Sequence, residues 1–341
     1  MRTKIICTIG PKTESEEKIR ELILNGMDVA RLNFSHDSHE NHGKRIKLIR
    51  KWAKKLKKKV QILCDLQGPK IRIADFANPP RKVKDGQKVI LTSSACQDIE
   101  PNELVIMDPY VHSDVNVGDI ILIDDGSIEL SVTKVVNHKI HCKVLCGGDI
   151  YPKKGVNLPL TKTTTNSLTD KDRKDLEFIL TQTPDWIAIS FVQTEDDVKE
   201  LKQIIGKSKA KVMCKIERAH AIENINAIIQ ASDGIMVARG DLGVELPIEK
   251  LPVLQKQIIK RCNYAEKPVV TATHMLSTMT KVPFPTRAEI SDIANAVYDG
   301  TDAVMLSNET AVGDYPVEAI KVMVKVVLET ENYLFNQGNK L

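Results

Sequence analysis

Short apolar runs alternate along this chain with longer stretches whose apolar residues recur every third or fourth position. Eight runs of the first kind are predicted strands: Lys4–Ile9, Asp28–Phe34, Val60–Leu66, Asp185–Phe191, Lys211–Ile216, Gly234–Ala238, Pro268–Thr273 and Asp302–Leu306. Each leads, sooner or later, into a stretch with the period of an amphipathic helix. The first such stretch puts Ile19, Leu22 and Ile23 on one face, behind a Thr13/Glu16 capping box. Similar starts are expected at Thr169/Asp172, Thr194/Asp197 and Thr286/Glu289. Gly26, Gly206 and Gly300 stand where a helix ends on a left-handed residue.

Eight strand–helix units predict an α/β fold, a closed parallel (β/α)8 TIM barrel. An open doubly wound sheet would put a glycine-rich turn after its first strand, and Thr8-Ile9-Gly10-Pro11 is not one. The rhythm breaks between Gly68 and Pro159, where Val, Ile, Gly, Asp and Pro dominate. There the pattern predicts short strands at Gln87–Thr92, Asp119–Ile123, Ile128–Asn137 and Lys139–Leu145. The expected division is a barrel domain over residues 1–68 and 160–341, with a β-rich, barrel-like domain over 69–159 inserted after the third barrel strand.

Composition acts mainly by exclusion. Hydrophobic residues at 42% and charged residues at 28% describe an ordinary globular chain. No apolar run reaches the length of about 18 residues that spans a bilayer, and the N-terminus lacks a signal-peptide pattern. The net charge of +4 is too mild to point to nucleic acid. The basic stretch Arg45–Lys59 keeps Ile46, Ile49, Ala53 and Leu56 on one face, as a solvated outer helix does. Neither nucleic acid nor membrane is an expected partner. Seven cysteines cannot all pair, and Cys7, Cys64 and Cys214 lie within apolar strands. Reduced core thiols and a cytoplasmic location are expected. Cys142 and Cys146 have no matching Cys/His set for zinc.

In a closed parallel barrel the chemistry sits at the C-terminal strand ends. Strand two ends in Arg31-Leu32-Asn33-Phe34-Ser35-His36 and strand three in Asp65. Strand five ends in Lys215-Ile216-Glu217, and strand six runs into Arg239-Gly240-Asp241. Thr273 closes strand seven, and Ser307-Asn308-Glu309-Thr310 closes strand eight. Glu217 and Asp241 offer hard oxygen ligands to Mg²⁺, while Arg31 and Lys215 can neutralise a phosphorylated substrate. The backbone at Gly240 and Asp241 can present N–H groups to a carboxylate. Each residue also has a bland reading. The carboxylates can be structural ion-pair partners, the hydroxyls of Thr273 and Ser307 can cap helices, and His36 can be a turn residue.

These residues also carry a family resemblance. The blocks Thr3–Pro11, Gly26–His36, Lys154–Pro159, Val237–Glu245 and Met305–Ala311 resemble pyruvate kinase, in the family's order and through nearly the whole chain. The resemblance implies transfer of a phosphoryl group from phosphoenolpyruvate to ADP, giving pyruvate and ATP, with Mg²⁺ or Mn²⁺. It implies that Lys215 stabilises the moving phosphoryl, that Arg31 holds it, and that Glu217 and Asp241 ligate the metal. Gly240 and Asp241 would meet the substrate. Asn33, Phe34, Ser35, His36, Arg72 and Lys154 would face the nucleotide. Thr273, directly, and Ser307, through water, would deliver a proton to the enolate. The inserted domain would act as a lid.

Departures from the family's pattern carry expectations too. Many members bind K⁺ through residues matching Asn33, Ser35, Asp65 and the carbonyl of Leu66. Here Asp65-Leu66-Gln67-Gly68-Pro69-Lys70-Ile71-Arg72 carries Lys70 where the family has glutamate, so K⁺ is expected to be dispensable. His274, Ser277, Gln193 and Asn308 also depart and are expected to tune activity. The family's C-terminal regulatory domain has no counterpart in this sequence, which favours a homo-oligomer, a dimer through barrel contacts over a tetramer. A different metal-dependent barrel acting on oxoacids and a non-catalytic binding protein are the alternatives.

Overall fold

The computed structural model describes residues 1–100, 102–159 and 161–338, so the expected domain limits at 160 and 341 lie outside the described residues. Eight parallel strands close into a barrel. They are β1 (Lys4–Thr8), β2 (Val29–Asn33), β3 (Gln61–Asp65), β4 (Trp186–Ile189), β5 (Lys211–Ile216), β6 (Gly234–Ala238), β7 (Val269–Ala272) and β8 (Ala303–Leu306). Each pairs with its sequence neighbours, and β1 with β8 closes the ring.

Because successive side chains on a strand point to opposite faces, the strands divide their apolar residues between two cores. Ile6, Val29, Leu63, Met213, Met236 and Met305 fill the barrel interior. Ile5, Cys7, Val212, Cys214, Ile235 and Val304 pack outward against the surrounding helices. The basic helix His39–Lys55 buries Ile46 and Ile49 in this outer core, with Leu56 packed beside it, and Ala53 is buried on the same helix.

The expected capping boxes at Thr169/Asp172 and Thr286/Glu289 are present, and the Asp197 carboxylate accepts the Thr194 N–H at 2.9 Å. The expected Thr13/Glu16 box is absent. Ser15 caps that helix, accepting from Lys18 N. Thr13 is fully buried and donates to the Thr310 carbonyl at 2.8 Å, tying the loop after β1 to the loop after β8. The capping motif was shifted because Thr13 finds a tertiary acceptor.

Between β3 and β4 the chain leaves the barrel and builds two further sheets. The larger has six strands in the order Val156–Asn157, Ile120–Ile123, Ile128–Val136, Lys139–Cys146, Lys88–Ser93 and Leu104–Ile106. Arg81–Val83 and Gly148–Ile150 form the smaller. Ile73, Leu91, Ile121, Leu130, Ile140 and Val144 give this part its own apolar core. Four of its strands are only two or three residues long, too short to show an alternating pattern in sequence. Its two connections to the barrel pair with each other, through an Arg72–Gly155 bridge and Val156 N to Ile71 O at 2.9 Å. At the root, Gly68 has φ +66, and a Cβ there would meet Ser190 Cβ and Phe191 Cδ2 at 2.9 Å. Only glycine suits that turn.

Candidate active site

The alternation that fills the barrel continues past the strand ends and decides which polar residues face the mouth. Met213 points inward, so Lys215 and Glu217 do as well. Val29 sets Arg31 and Asn33 by the same rule, Leu63 sets Asp65, and Met305 sets Ser307.

The result is a compact charged cluster. Lys215 Nζ lies 2.8 Å from Glu217 Oε1 and 3.3 Å from Asp65 Oδ1. Arg31 Nε donates to Asp65 Oδ2 at 2.7 Å, and Arg31 Nη1 donates to Thr8 Oγ1 at 3.0 Å. Lys215 also donates to Ser190 Oγ at 2.8 Å, which in turn donates to the Leu66 carbonyl at 2.7 Å. Thr8 and Ser190 were not among the residues expected from sequence. Their signal was there, since they continue the inward parity of Ile6 and Ala188.

Electrostatics follow from this packing. Burial would push the Asp65 carboxyl up, but Lys215 and Arg31 outweigh it and hold it below the usual carboxylate range. Burial would lower Lys215, yet Asp65 and Glu217 raise its ammonium to about 12. Glu217 behaves differently. Burial pushes its carboxyl up, repulsion from Asp241 adds to the effect, and Lys215 offsets only part of it.

Strands β6 to β8 supply the other side. Asp241 lies in the first turn of the helix Arg239–Glu245. The Gly240 N–H, expected to be open to a ligand, donates to Thr273 Oγ1 at 2.8 Å. Thr273 and His274 both have left-handed φ, +67 and +54. That unusual backbone is held by Arg239, which donates to the Thr273 carbonyl at 2.6 Å and pairs with Asp292 at 2.7 Å. Ser307 Oγ is buried and has no hydrogen-bond partner among the described residues. Glu309 is structural, because its carboxylate accepts the N–H groups of Leu276 at 3.0 Å and Ser307 at 2.7 Å. A cleft of about 390 Å³ runs past Lys70, Gly240, Asp241, Thr273, His274 and Ser307.

The expected nucleotide residues gather less tightly. Asn33 Oδ1 accepts the Ser35 N–H at 3.1 Å. His36 is partly desolvated, and Arg72, Arg31, Lys171 and Lys70 around it hold its imidazole below the usual value. Such a crowd of cations suits a polyanion. Phe34 corrects the expectation. Its ring is buried and stacks on His42 at 4.2 Å, and its carbonyl accepts from Lys171 Nζ at 2.7 Å. It falls on the outward parity and its side chain cannot meet a ligand in the mouth. Arg72 donates to the Lys153 carbonyl at 2.8 Å, and Lys154 pairs with Asp124 at 2.9 Å. Both stand on the connections between barrel and insert, and Arg72 is among the cations around His36.

The pyruvate kinase barrel-domain profile matches residues 1–320. Pyruvate kinase from Geobacillus stearothermophilus is 48% identical over 338 residues, 98% of this chain and 57% of the relative. That from Staphylococcus aureus (strain MRSA252) is 48% identical over 334 residues, 97% of this chain and 57% of the relative. The crystal structure of a pyruvate kinase from Cryptosporidium parvum superposes with a TM-score of 0.93 at 43% identity, covering 97% of this chain and 69% of that one.

The chain belongs to the pyruvate kinase family. It spans 57% of the length of the curated relatives it matches.

Membership in the pyruvate kinase family implies a divalent metal cofactor, and the residues here fit one. Glu217 is a buried carboxyl unsettled by the charge of Asp241, an arrangement that a hard cation relieves. Three of the four oxygen sources in the expected K⁺ set already have partners within the protein. Asp65 is held by Arg31 and Lys215, Leu66 O by Ser190, and Asn33 by Ser35 N. Lys70, the departure from the pyruvate kinase pattern, does not point to solvent. Its ammonium lies 2.9 Å from Asp241 Oδ1.

Proposed function

We propose that this chain catalyses phosphoryl transfer from phosphoenolpyruvate to ADP, yielding pyruvate and ATP. The observation that carries the reading is the convergence of Lys215, Arg31, Asp65 and Glu217 on one barrel mouth, within 2.7 to 3.3 Å of one another along the chain of contacts. Two cations beside carboxylates able to take a divalent metal suit a phosphorylated anion bound together with that metal.

In this reading the phosphorus–enol oxygen bond breaks as a β-phosphate oxygen of ADP bonds to phosphorus. Lys215 and Arg31 face the phosphoryl oxygens, where charge spreads in a loose transition state. Glu217 and Asp241 would hold Mg²⁺ or Mn²⁺, which when bound neutralises substrate and phosphoryl oxygens. Arg72, Lys154, Asn33, Ser35 and His36 serve the nucleotide, with Phe34 limited to its backbone. The enolate left behind takes a proton at its methylene carbon from the Thr273 side, Ser307 acting through water. Gly240 and Asp241 line the substrate's place, and the inserted domain over 69–159 closes as a lid that excludes water.

Lys70 supplies a tethered positive charge at the mouth of this site, whether on Asp241 or displaced from it, and we propose that K⁺ is dispensable. Initial rates in tetramethylammonium should match those in K⁺ within about twofold; a large K⁺ activation rejects the idea. Free thiols, five of them buried, support a cytoplasmic setting. Among the described residues no helix is long and apolar enough to cross a membrane. A homodimer through barrel faces is the proposed assembly.

A coupled assay of pyruvate formation with Mg²⁺, phosphoenolpyruvate and ADP tests the main reading. Activity should appear, and Lys215→Met should lower kcat by about 10³-fold or more while phosphoenolpyruvate still binds. No activity in the parent chain, or an unimpaired variant, overturns it.

A further inference from the structure

Lys70 sits in the first connection between barrel and insert, where its N–H donates to the Gly68 carbonyl at 2.9 Å. Two residues on, Arg72 bridges to Gly155 of the return connection. The Lys70 side chain passes over that return. A Cβ built on Gly155 would lie 3.4 Å from Lys70 Cε. The ammonium then crosses to the barrel and ends 2.9 Å from Asp241 Oδ1, with the two side chains 28% and 24% exposed. Among the described residues Asp241 has no other ion-pair partner, while Glu217 and Glu245 both feel its negative charge.

The same carboxylate is therefore asked to do two things. As a metal ligand it must approach a doubly charged cation closely; as Lys70's partner it already holds an ammonium on Oδ1. The two positive groups repel each other and cannot share that oxygen. We propose that Lys70 is a tethered competitor for the divalent metal: metal binding expels it from Asp241 and releases the root of the inserted domain from the barrel. The inference rests on the reading of Glu217 and Asp241 as the metal pair and adds a regulation to it. Reciprocity follows from linkage. Whatever holds Lys70 on Asp241 weakens metal binding, and metal binding loosens the insert by the same free energy.

The test uses the full chain without substrates. Mn²⁺ affinity is measured by electron paramagnetic resonance for the parent, Lys70→Met and Asp241→Asn. Hydrogen exchange of the 69–73 segment is followed with and without Mg²⁺. A partly exposed pair of this kind predicts that Lys70→Met binds Mn²⁺ about two- to fivefold more tightly. Asp241→Asn should bind it much more weakly. Exchange in 69–73 should rise when Mg²⁺ is added to the parent, and should already be raised in metal-free Lys70→Met. Equal Mn²⁺ affinity in parent and Lys70→Met overturns the competitor and leaves the metal pair standing. A tighter Lys70→Met with no change in exchange overturns it too, since that is repulsion through space without a latch. If Asp241→Asn binds Mn²⁺ like the parent, the metal-pair reading itself fails, and the competitor with it.

Discussion

Lys215 is placed by three acceptors, Glu217, Asp65 and Ser190, within 2.8 to 3.3 Å of its ammonium. Two are charged and hold the ammonium in its cationic form. The third is neutral and its work is directional, because the Ser190 hydroxyl spends its own proton on the Leu66 carbonyl. Ser190→Ala therefore removes a hydrogen bond worth about 1 kcal/mol from an otherwise intact site. In the coupled assay kcat should fall roughly fivefold with KM for phosphoenolpyruvate little changed. An unchanged kcat would reduce Ser190 to a packing role. Lys215, Glu217, Asp241 and Arg31 could be picked out from strand ends alone. Thr8 and Ser190 could not be picked out by residue type, since buried hydroxyls are common; the inward parity was the missing criterion.

At the level of elements, most strand and helix starts were legible because propensity, period and cap agree with the barrel. The exception is instructive. Ser15 performs the capping expected of Thr13, while Thr13 links the β1 and β8 loops through the Thr310 carbonyl. Two substitutions that look equivalent in sequence should then differ. Ser15→Ala should cost about 1 kcal/mol in a denaturant titration and leave kinetics alone. Thr13→Ala strands a buried carbonyl, should cost roughly 2 kcal/mol, and should also lower kcat because the β8 loop carries Ser307. Matching effects of the two on stability and kcat would contradict this assignment. The short strands of the insert were missed for a simpler reason: two or three residues carry no readable period, and their pairing is decided by long-range contacts.

At the scale of the whole molecule, barrel and insert meet over Glu245. It is 8% exposed, receives an Asn157 Nδ2 hydrogen bond at 3.2 Å, and lines a small cavity with Lys70, Asn157, Thr163 and Arg218. Burial pushes its carboxyl from the ordinary 4.5 up to about 7, more than Asn157 and Arg218 can offset. A carboxyl raised on folding favours the folded state in its protonated form. That contribution is complete below the ordinary value and is lost as pH rises through about 7. The loss is on the order of 3 kcal/mol. Glu245→Gln, always neutral, should flatten the fall in melting temperature between pH 5 and 8 (roughly the titration window) and be the more stable protein at its upper end. Parallel curves for parent and variant would rule this out. What the sequence settled unaided was the local and the periodic: the number of barrel strands, the apolar faces of the helices, and the polar types waiting at the strand ends. Only the folded chain decided which of those groups touch, that Phe34 turns away, that Thr13 gives up its cap, and that Lys70 reaches Asp241 across 171 residues. Periodicity is written by neighbours along the chain. Pairing between distant charges depends on strand register and on where a loop returns, and no local pattern encodes either.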